Sequence, residues 1–203
     1  MRTVNLSKAQ IQIDELAKVC GLCTKCPIGG KSLAKDNLDT PYSTNVFSSR
    51  NPKAEIMVVG QNPGIDEVWS GHPFSGQAGI ILWEKLASIG IESKDVYATN
   101  IVKCHIVEER KPTQDEVDNC RHHIDEEIRI VSPRIIVALG SLTLKSLTGV
   151  SGIMKHAGEI VHSPRYGAPV LAMPYTNKTN IEDPQTSMLI DMSLNNLRKF
   201  LDG

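Results

Sequence analysis

The sequence predicts an α/β protein in which a central four-stranded parallel sheet lies between two layers of helices (α/β/α). Two observations lead to this prediction: four short apolar runs recur along the chain, and a segment with helical spacing follows each of them. Strands that alternate with helices form parallel sheets whose two faces are both covered. At 203 residues, 40% hydrophobic and 22% charged, the chain suits one domain over residues 1–203.

The N-terminal part, residues 1–53, is predicted to hold one short helix and an irregular segment. Apolar side chains at helical spacing indicate a helix over residues 7–20, and Ser7 with Gln10 has the spacing of a capping box. Residues 21–52 are rich in Gly, Ser, Asn and Pro and show no sustained period. This composition predicts irregular structure that needs a stabilising cross-link, such as a metal site.

Residues 54–203 form the predicted α/β core. The predicted strands are residues 56–59, 96–99, 134–139 and 170–173. Helices are predicted over residues 78–89, from the capping box of Thr113 and Glu116 to residue 131, over residues 142–147 and over residues 188–201. Ligands of such folds bind beyond the carboxyl ends of the strands, which are residues 60–64, 100–104, 140–141 and 174–177.

Charge and hydropathy restrict the classes of partner. A net charge of −1 gives no general attraction to a polyanion, so DNA binding must use a local basic patch and backbone amides. Lys103 and Arg110 are the basic residues that we expect near a phosphate backbone. No stretch approaches the roughly 18 apolar residues of a membrane span, and the N-terminus lacks the apolar core of a signal peptide. We therefore expect a soluble cytoplasmic protein without a membrane partner.

Five cysteines in such a chain indicate metal binding or burial, because the cytosol keeps thiols reduced. Cys23 and Cys26 are separated by two residues, Cys104 follows the second strand and Cys120 lies on the next helix. Four thiolates suit an iron–sulfur cluster or zinc, and buried free thiols are the alternative. Cys20 lies on the apolar face of the first helix, which predicts a core position outside the metal site.

Three motifs near strand ends can bind a ligand. The turn Gly60-Gln61-Asn62-Pro63-Gly64 presents two amide side chains, although ordinary turns use the same residue types. Phe74, between Pro and Ser, can stack on a flat ligand such as a base or fill the core. Asn100 can offer a donor and an acceptor to the edge of a pyrimidine or cap a turn.

His122 and His123 are adjacent on the predicted helix that begins at Thr113, and we assign no role to either. At most one of two neighbouring side chains on a helix can point inward, and we interpret both as exposed.

Taken together, these motifs resemble the uracil-DNA glycosylase superfamily, particularly its family 4 of iron–sulfur enzymes. Cys-Thr-Lys-Cys-Pro-Ile, Gly-Gln-Asn-Pro-Gly, Gly-His-Pro-Phe-Ser-Gly-Gln-Ala-Gly and Thr-Asn-Ile-Val-Lys-Cys occur in the family's order, before Pro-Thr-x-x-Glu-Val-x-x-Cys and Pro-Arg-Ile-Ile-Val-Ala-Leu-Gly. The resemblance implies a uracil-DNA glycosylase-like fold. It also implies a DNA repair enzyme that flips uracil, or a related deaminated base, out of DNA and hydrolyses its N-glycosidic bond.

The resemblance further implies roles for individual residues. Phe74 would stack on the flipped uracil, Asn100 would read its edge, and backbone groups at Gly60 and Gln61 would contact it. A [4Fe-4S] cluster, with zinc as the alternative, would be held by Cys23, Cys26, Cys104 and Cys120. Single- or double-stranded DNA containing uracil would be the partner of a monomer, and replication or repair proteins are further candidate partners.

Two positions depart from the family pattern. The family 4 turn usually reads Gly-Glu-Ala-Pro-Gly, whereas this chain has Gln61 and Asn62. Asparagine at the second place resembles the mismatch-specific and thymine-DNA glycosylase branch, where that amide positions the attacking water. The late His-Pro motif is replaced by Met-Pro-Tyr-Thr-Asn, which puts Tyr175, or Thr176 after a one-residue shift, in the histidine's place.

These departures leave two hypotheses for activity. The Tyr175 hydroxyl can donate a hydrogen bond to O2 of the leaving uracil, as the histidine would. The alternative is a glycosylase-like DNA-binding protein that keeps the cluster but has weak or no catalytic activity.

Overall fold

A single five-stranded sheet forms the centre of the computed structural model, which describes residues 7–28, 45–49, 51–106 and 110–203. The strands are β1 (Ile56–Gly60), β2 (Val96–Asn100), β3 (Ile135–Leu139), β4 (Ile160–His162) and β5 (Pro169–Met173). Their order across the sheet is β2-β1-β3-β5-β4. The neighbours β2, β1, β3 and β5 run parallel, and β4 pairs antiparallel with β5.

Eight α-helices lie within the described ranges. They are α1 (Lys8–Gly21), α2 (Ile65–Ser70), α3 (Gln77–Ser88), α4 (Gln114–Val131), α5 (Ser141–Thr148), α6 (Ile153–His156), α7 (Lys178–Glu182) and α8 (Pro184–Asp202). A short 3-10 helix, Ser93–Asp95, precedes β2.

The two faces of the sheet belong to two separate hydrophobic cores. Met57 and Val59 of β1 pack in the core that includes the apolar sides of α1, α4 and α5. Val58, between them, packs in the core formed with α3 and α8. Because both faces are covered, β1, β2 and β3 are buried at every position, which explains the continuous apolar runs of β1 and β3.

The predicted α/β fold is confirmed, whereas the predicted count of four strands is wrong. Each of the four parallel strands lies within one residue of its predicted bounds. The fifth strand, β4, has only three residues, of which the first and third are exposed and the middle one is half-buried. Such a short edge strand has no apolar run, and its position depends on pairing with β5.

Of the two predicted capping boxes, one is confirmed and one is wrong. Thr113 and Glu116 form the predicted capping box at the start of α4. The Ser7 side chain accepts a hydrogen bond from the Gln10 backbone N–H at 3.2 Å, so Ser7 caps α1. The predicted capping box at Ser7 is wrong, because the Gln10 side-chain amide does not bond back to the Ser7 backbone but donates to Asp14 at 3.1 Å.

Residues 45–49 run along the outer edge of β2. Antiparallel bridges join Asn45 to Cys104 and Ser48 to Thr99, and the Val46 N–H donates to the backbone carbonyl that precedes Cys104 at 2.8 Å. This short segment therefore covers a sheet edge that would otherwise be open.

Most of the predicted irregular segment, residues 21–52, lies outside the described residues. Within the described part of the chain, no helix combines the length and apolarity that a bilayer crossing requires.

The ammonium group of Lys103 lies in the protein interior, so its predicted place beside a phosphate backbone is wrong. Lys103 is 0% exposed and donates to the carboxylate of Glu127, which is also 0% exposed, and to the Thr99 hydroxyl at 2.6 Å. Tyr97 and Thr99 each donate to Glu127 at 2.9 Å. Burial raises the pKa of Glu127, and the Lys103 cation opposes that rise.

The other predicted phosphate-binding residue, Arg110, lies in the segment before α4. Its guanidinium donates to both carboxylate oxygens of Glu116 at 2.8 and 2.7 Å and is 40% exposed. These hydrogen bonds lower the pKa of Glu116 to about 2. Contact between Arg110 and a phosphate stays a prediction.

Replacing one partner of the buried Lys103–Glu127 ion pair should destabilise the fold. Lys103→Met is expected to lower the free energy of unfolding by about 3–5 kcal/mol, because Glu127 is left buried without its cation. Lys103→Met combined with Glu127→Leu should recover most of this loss, since an apolar pair avoids the desolvation of both charges. Denaturant unfolding followed by circular dichroism measures both changes.

The exposed Lys94, which pairs with Glu92 at the surface, is the matched control, and Lys94→Met should change stability little. An equal loss in the single and the double variant at Lys103 and Glu127 would contradict this account.

Candidate functional site

A pocket of about 210 Å³ opens at the carboxyl ends of the parallel strands. Its wall is contributed by the turn after β1, the segment from α2 to the start of α3, the end of β2 and one residue after β5. Four of the residues selected from the sequence line it: Asn62, Phe74, Asn100 and Tyr175. Pockets for drug-sized ligands measure about 300–1,000 Å³, so this volume suits a ligand as small as one ring.

Phe74 is fixed both by its backbone and by its ring. Its φ of +57° lies in the left-handed region, which is unfavourable for a bulky residue and persists where the surroundings impose it. The Trp83 indole donates to the Phe74 carbonyl at 2.9 Å, and the two rings pack edge to face with centroids 6.1 Å apart. Phe74 is 8% exposed and packs in the core beside α3, so the core and pocket interpretations both apply.

The absence of a side chain at Gly60 lets Phe74 and Asn100 approach each other. A Cβ at Gly60 would lie 2.8 Å from the Phe74 ring and would overlap the Asn100 side-chain oxygen. Asn100 is 3% exposed, and none of the described residues forms a hydrogen bond with its side-chain amide. Its donor and acceptor are therefore available to a ligand in the pocket. Gly60 and Gln61 do not line the pocket itself.

Tyr175 presents a protonated hydroxyl at the pocket. Burial raises the pKa of Tyr175 to about 12, and the hydrogen bond that its oxygen accepts from the Gln61 N–H at 2.8 Å opposes that rise. No acceptor for the hydroxyl's own proton lies among the described residues, which leaves this proton free for a ligand. The ring packs against Gly140, where a Cβ would lie 2.7 Å away. Thr176 is turned away and donates to the Ala78 carbonyl at 2.8 Å.

The side chain of Asn62 is held within its own turn. Its oxygen accepts from the Gln61 side-chain amide and its nitrogen donates to the Pro63 carbonyl, both at 3.1 Å. An amide oxygen has two lone pairs and an amide nitrogen two protons, so each atom of Asn62 keeps one position for a ligand or water.

Two acidic residues of the pocket wall were not selected from the sequence. Glu67 accepts hydrogen bonds from the Gly64 N–H at 2.8 Å and from the Gly76 N–H at 2.9 Å. It thereby joins the turn after β1 to the segment that carries Phe74. Asp66 is exposed and lines the pocket. The sequence feature that could have identified Glu67 is its place three residues after Gly64, which is the spacing of a capping box with glycine at the N-cap.

The cysteines cluster on the opposite face of the sheet, beside α4. Burial, with a smaller contribution from the nearby thiols of Cys23 and Cys26, raises the pKa of Cys104 to about 12 and that of Cys120 to about 11. Cys20 is 1% exposed, as its helical position predicted. These pKa values keep the buried thiols protonated at neutral pH unless a metal stabilises their thiolates.

Hydrogen bonds connect the buried sulfurs with the backbone around them. The Lys103 backbone N–H donates to Cys120 Sγ at 3.3 Å. The Asn45 side-chain amide donates to Cys20 Sγ at 3.0 Å and lies 3.9 Å from Cys104 Sγ. The sulfurs thus lie among N–H donors, which favour the thiolate form.

Four thiolates can bind either of the two predicted metals, a zinc ion or an iron–sulfur cluster. Within the described ranges, no three thiols lie within 4.8 Å of one another.

Two histidines that had no predicted role lie next to Cys23. The possible ligand atoms of Cys23, His122 and His123 all lie within 4.8 Å of one another. His123 is 1% exposed, so its predicted exposure is wrong; it lies three residues after Cys120 and shares that residue's inward side of α4. Burial lowers the pKa of His123 to about 3, which keeps its ring neutral.

The fold and the pocket define an α/β protein of the class that receives small ligands at the carboxyl edge of a parallel sheet. Residues 47–192 match the family model described as the uracil DNA glycosylase superfamily, and the chain belongs to this superfamily. The family resemblance seen in the sequence motifs is thereby confirmed.

The chain is similar to known DNA glycosylases and to part of a DNA polymerase. The chain is 33% identical to a type-4 uracil-DNA glycosylase of Archaeoglobus fulgidus over 78% of this chain and 77% of the relative. It is 38% identical to the type-4 enzyme of Thermotoga maritima over 60% of this chain and 58% of the relative. It is also 34% identical to a DNA polymerase of Bacillus phage SP01, over 74% of this chain but only 16% of the polymerase.

Gly60→Ala should displace both Asn100 and Phe74, because the added methyl group would overlap the former and lie 2.8 Å from the latter. Overpacking of this kind lowers the free energy of unfolding by about 1–3 kcal/mol, which denaturant unfolding can measure. Gly21→Ala is the matched control, since a Cβ at Gly21 meets nothing within 4 Å. A Gly60→Ala variant as stable as Gly21→Ala would contradict this prediction, because it would show that Asn100 and Phe74 can move at little energetic cost.

Proposed function

We propose that this protein is a uracil-DNA glycosylase, a DNA repair hydrolase that removes uracil, or a related deaminated base, from DNA and leaves an abasic site. The observation that carries the proposal is a pocket of about 210 Å³ that combines an aromatic ring, an amide to which no described residue hydrogen-bonds and a protonated hydroxyl. The named relatives support the same activity. The substrate is uracil-containing DNA, single- or double-stranded.

Recognition of the base would use two of the pocket residues. A base within DNA is inaccessible to an enzyme until it leaves the helical stack, so the pocket must stabilise the flipped base. Phe74 would stack on its face, and a base–aromatic stack contributes about 1–3 kcal/mol. Asn100 would hydrogen-bond its edge, and this contact satisfies an amide that is buried in the protein.

Hydrolysis would use the hydroxyl of Tyr175 and the amide of Asn62. When the bond between N1 and C1′ breaks, its electron pair stays on the base, and the sugar becomes cationic. Tyr175 would donate its proton as a hydrogen bond to O2 of the uracil anion. Asn62 would orient a water that adds to C1′, and the proton released from this water balances the charge of the departing base.

The hydroxyl of Tyr175 should affect the rate more than the affinity. Tyr175→Phe is expected to lower single-turnover excision of uracil about a hundredfold or more, the usual effect of losing one such donor. Affinity for the same DNA should change little, because the ring remains in place. Quenched-flow excision and fluorescence anisotropy with uracil-containing oligonucleotides measure the two quantities.

Tyr166→Phe is the matched control for that experiment, since it removes a hydroxyl bonded to Asp125 far from the pocket. Tyr175→His should restore excision if the position corresponds to the family's histidine. Equal rates for the wild type and Tyr175→Phe would remove Tyr175 from the mechanism.

The second candidate function is a DNA-binding protein with weak or no catalytic activity. The similarity to one part of a phage DNA polymerase favours this candidate, because it associates such a domain with replication. A wild-type protein that binds uracil-containing DNA but excises no base, together with an equally inactive Tyr175→His variant, would support this candidate over the first.

The four-cysteine site would hold a [4Fe-4S] cluster in the proposed enzyme. Cys23, Cys26, Cys104 and Cys120 are the ligands that we assign, and Cys20 is a core residue. The cluster would be structural, because it joins the end of α1 to β2 and α4. Iron supplies no step of the hydrolysis in this proposal.

Loss of a ligand should therefore remove iron, whereas loss of the remaining buried thiol should not. Cys104→Ala is expected to abolish most bound iron and sulfide and to lower thermal stability. Cys20→Ala, an equally small change at a buried cysteine, should retain both. Iron and sulfide analysis with visible absorbance gives the result, and iron loss in the Cys20 variant would contradict the assignment.

A further inference from the structure

His123 carries two buried nitrogen atoms that find no partner in the described part of the chain. The residue is 1% exposed, and neither Nδ1 nor Nε2 has a hydrogen-bond partner among the described residues. A buried polar atom without a partner costs about 1–3 kcal/mol, so native proteins rarely leave one unsatisfied. A ring with two such atoms indicates a polar contact that the described residues make only when a further group is bound beside it.

The surroundings of His123 identify that group. Possible ligand atoms of Cys23 and His122 lie within 4.8 Å of a nitrogen of His123. His123 also lies three residues after Cys120 on α4, so two of the four assigned ligands flank it. A thiolate bound to iron is an anionic acceptor, and a neutral imidazole has one N–H to donate.

We propose that His123 is a positioning residue for the iron–sulfur cluster, donating a hydrogen bond from its imidazole N–H to the Cys23 sulfur. This inference rests on the proposed cluster and adds a residue to its surroundings. The histidine is not a ligand in this assignment, because four cysteines already complete the four ligand positions.

The neighbouring His122 holds the His123 ring in place. Their ring centroids are 3.9 Å apart, and the His122 Nδ1 atom lies 2.9 Å from the Asn119 carbonyl oxygen. His122 is half-buried and packs beside the fully buried His123. An imidazole that is held in this way keeps its N–H directed and loses little side-chain entropy when the cluster binds.

A hydrogen bond to a ligand sulfur has a measurable consequence. The added electron of a reduced cluster increases the negative charge on its sulfurs, so an N–H donor stabilises the reduced form more than the oxidised form. Hydrogen bonds to the sulfurs are among the features that set the reduction potentials of such clusters. The donor from His123 should therefore raise the reduction potential.

The test compares full-length holoprotein variants by spectroelectrochemical titration. His123→Phe keeps an aromatic ring but removes both nitrogens, and it should retain four irons per chain with a more negative midpoint potential. His123→Gln keeps a donor and should recover part of the shift. His156→Phe removes a histidine that pairs with Glu159 at the surface, and it should leave the potential unchanged.

A second measurement on the wild type does not depend on how the variants fold. In the chemically reduced cluster, pulsed electron paramagnetic resonance of ¹⁵N-histidine-labelled protein should show a weak coupling and an exchangeable proton. The coupling is assigned to His123 by its loss in His123→Phe. A strong nitrogen coupling from His123 would make this residue a ligand, and the absence of any coupling would make it a core residue; either result overturns the proposal.

The outcomes also separate this inference from the proposed cluster. A wild type with four irons, whose potential is the same in His123→Phe, overturns the inference and leaves the cluster intact. A wild type that holds one zinc and no iron, with zinc lost in His123→Phe, overturns both and indicates a mononuclear site of Cys23, His122 and His123.

Discussion

The parallel pairing of β1 with β2 determines the position of both the pocket and the cysteine cluster. Gly60 lies opposite Asn100 in the register, and the pairing continues beyond the strands, where the Ile101 N–H donates to the Gly60 carbonyl at 3.0 Å. Asn100 is therefore held at the pocket while the chain that follows crosses to the other face. Within four residues it reaches Cys104, so a single strand end serves the pocket and the cysteine cluster.

The pocket is held in shape by contacts within the protein. The close approach at Gly60 positions Phe74 against Asn100, and Glu67 joins the two loops of the wall through their backbone N–H groups. Tyr175 is fixed by the Gln61 N–H and by contact with Gly140. A site held by backbone hydrogen bonds and glycine contacts requires little reorganisation on binding, which favours both recognition and catalysis.

Helix α4 organises the opposite face through residues that share one side. Cys120, His123 and Glu127 are spaced by three and four residues and are all buried. Glu127 binds the Lys103 ammonium, and the Lys103 backbone N–H bonds Cys120. The cation, its carboxylate and the thiols thus form one buried polar region, in which each charged or polar group depends on its neighbours for stabilisation.

The sequence by itself determined the four parallel strands, the capping box of α4 and the motifs at the strand ends, because these features depend on short-range patterns. Helical spacing also placed Cys20 in the core. Only the tertiary structure decided that Lys103 and His123 are buried, because a single lysine or histidine has no pattern that reports what packs around it. It also decided the bond between Tyr175 and Gln61, which spans 114 residues and requires the complete sheet.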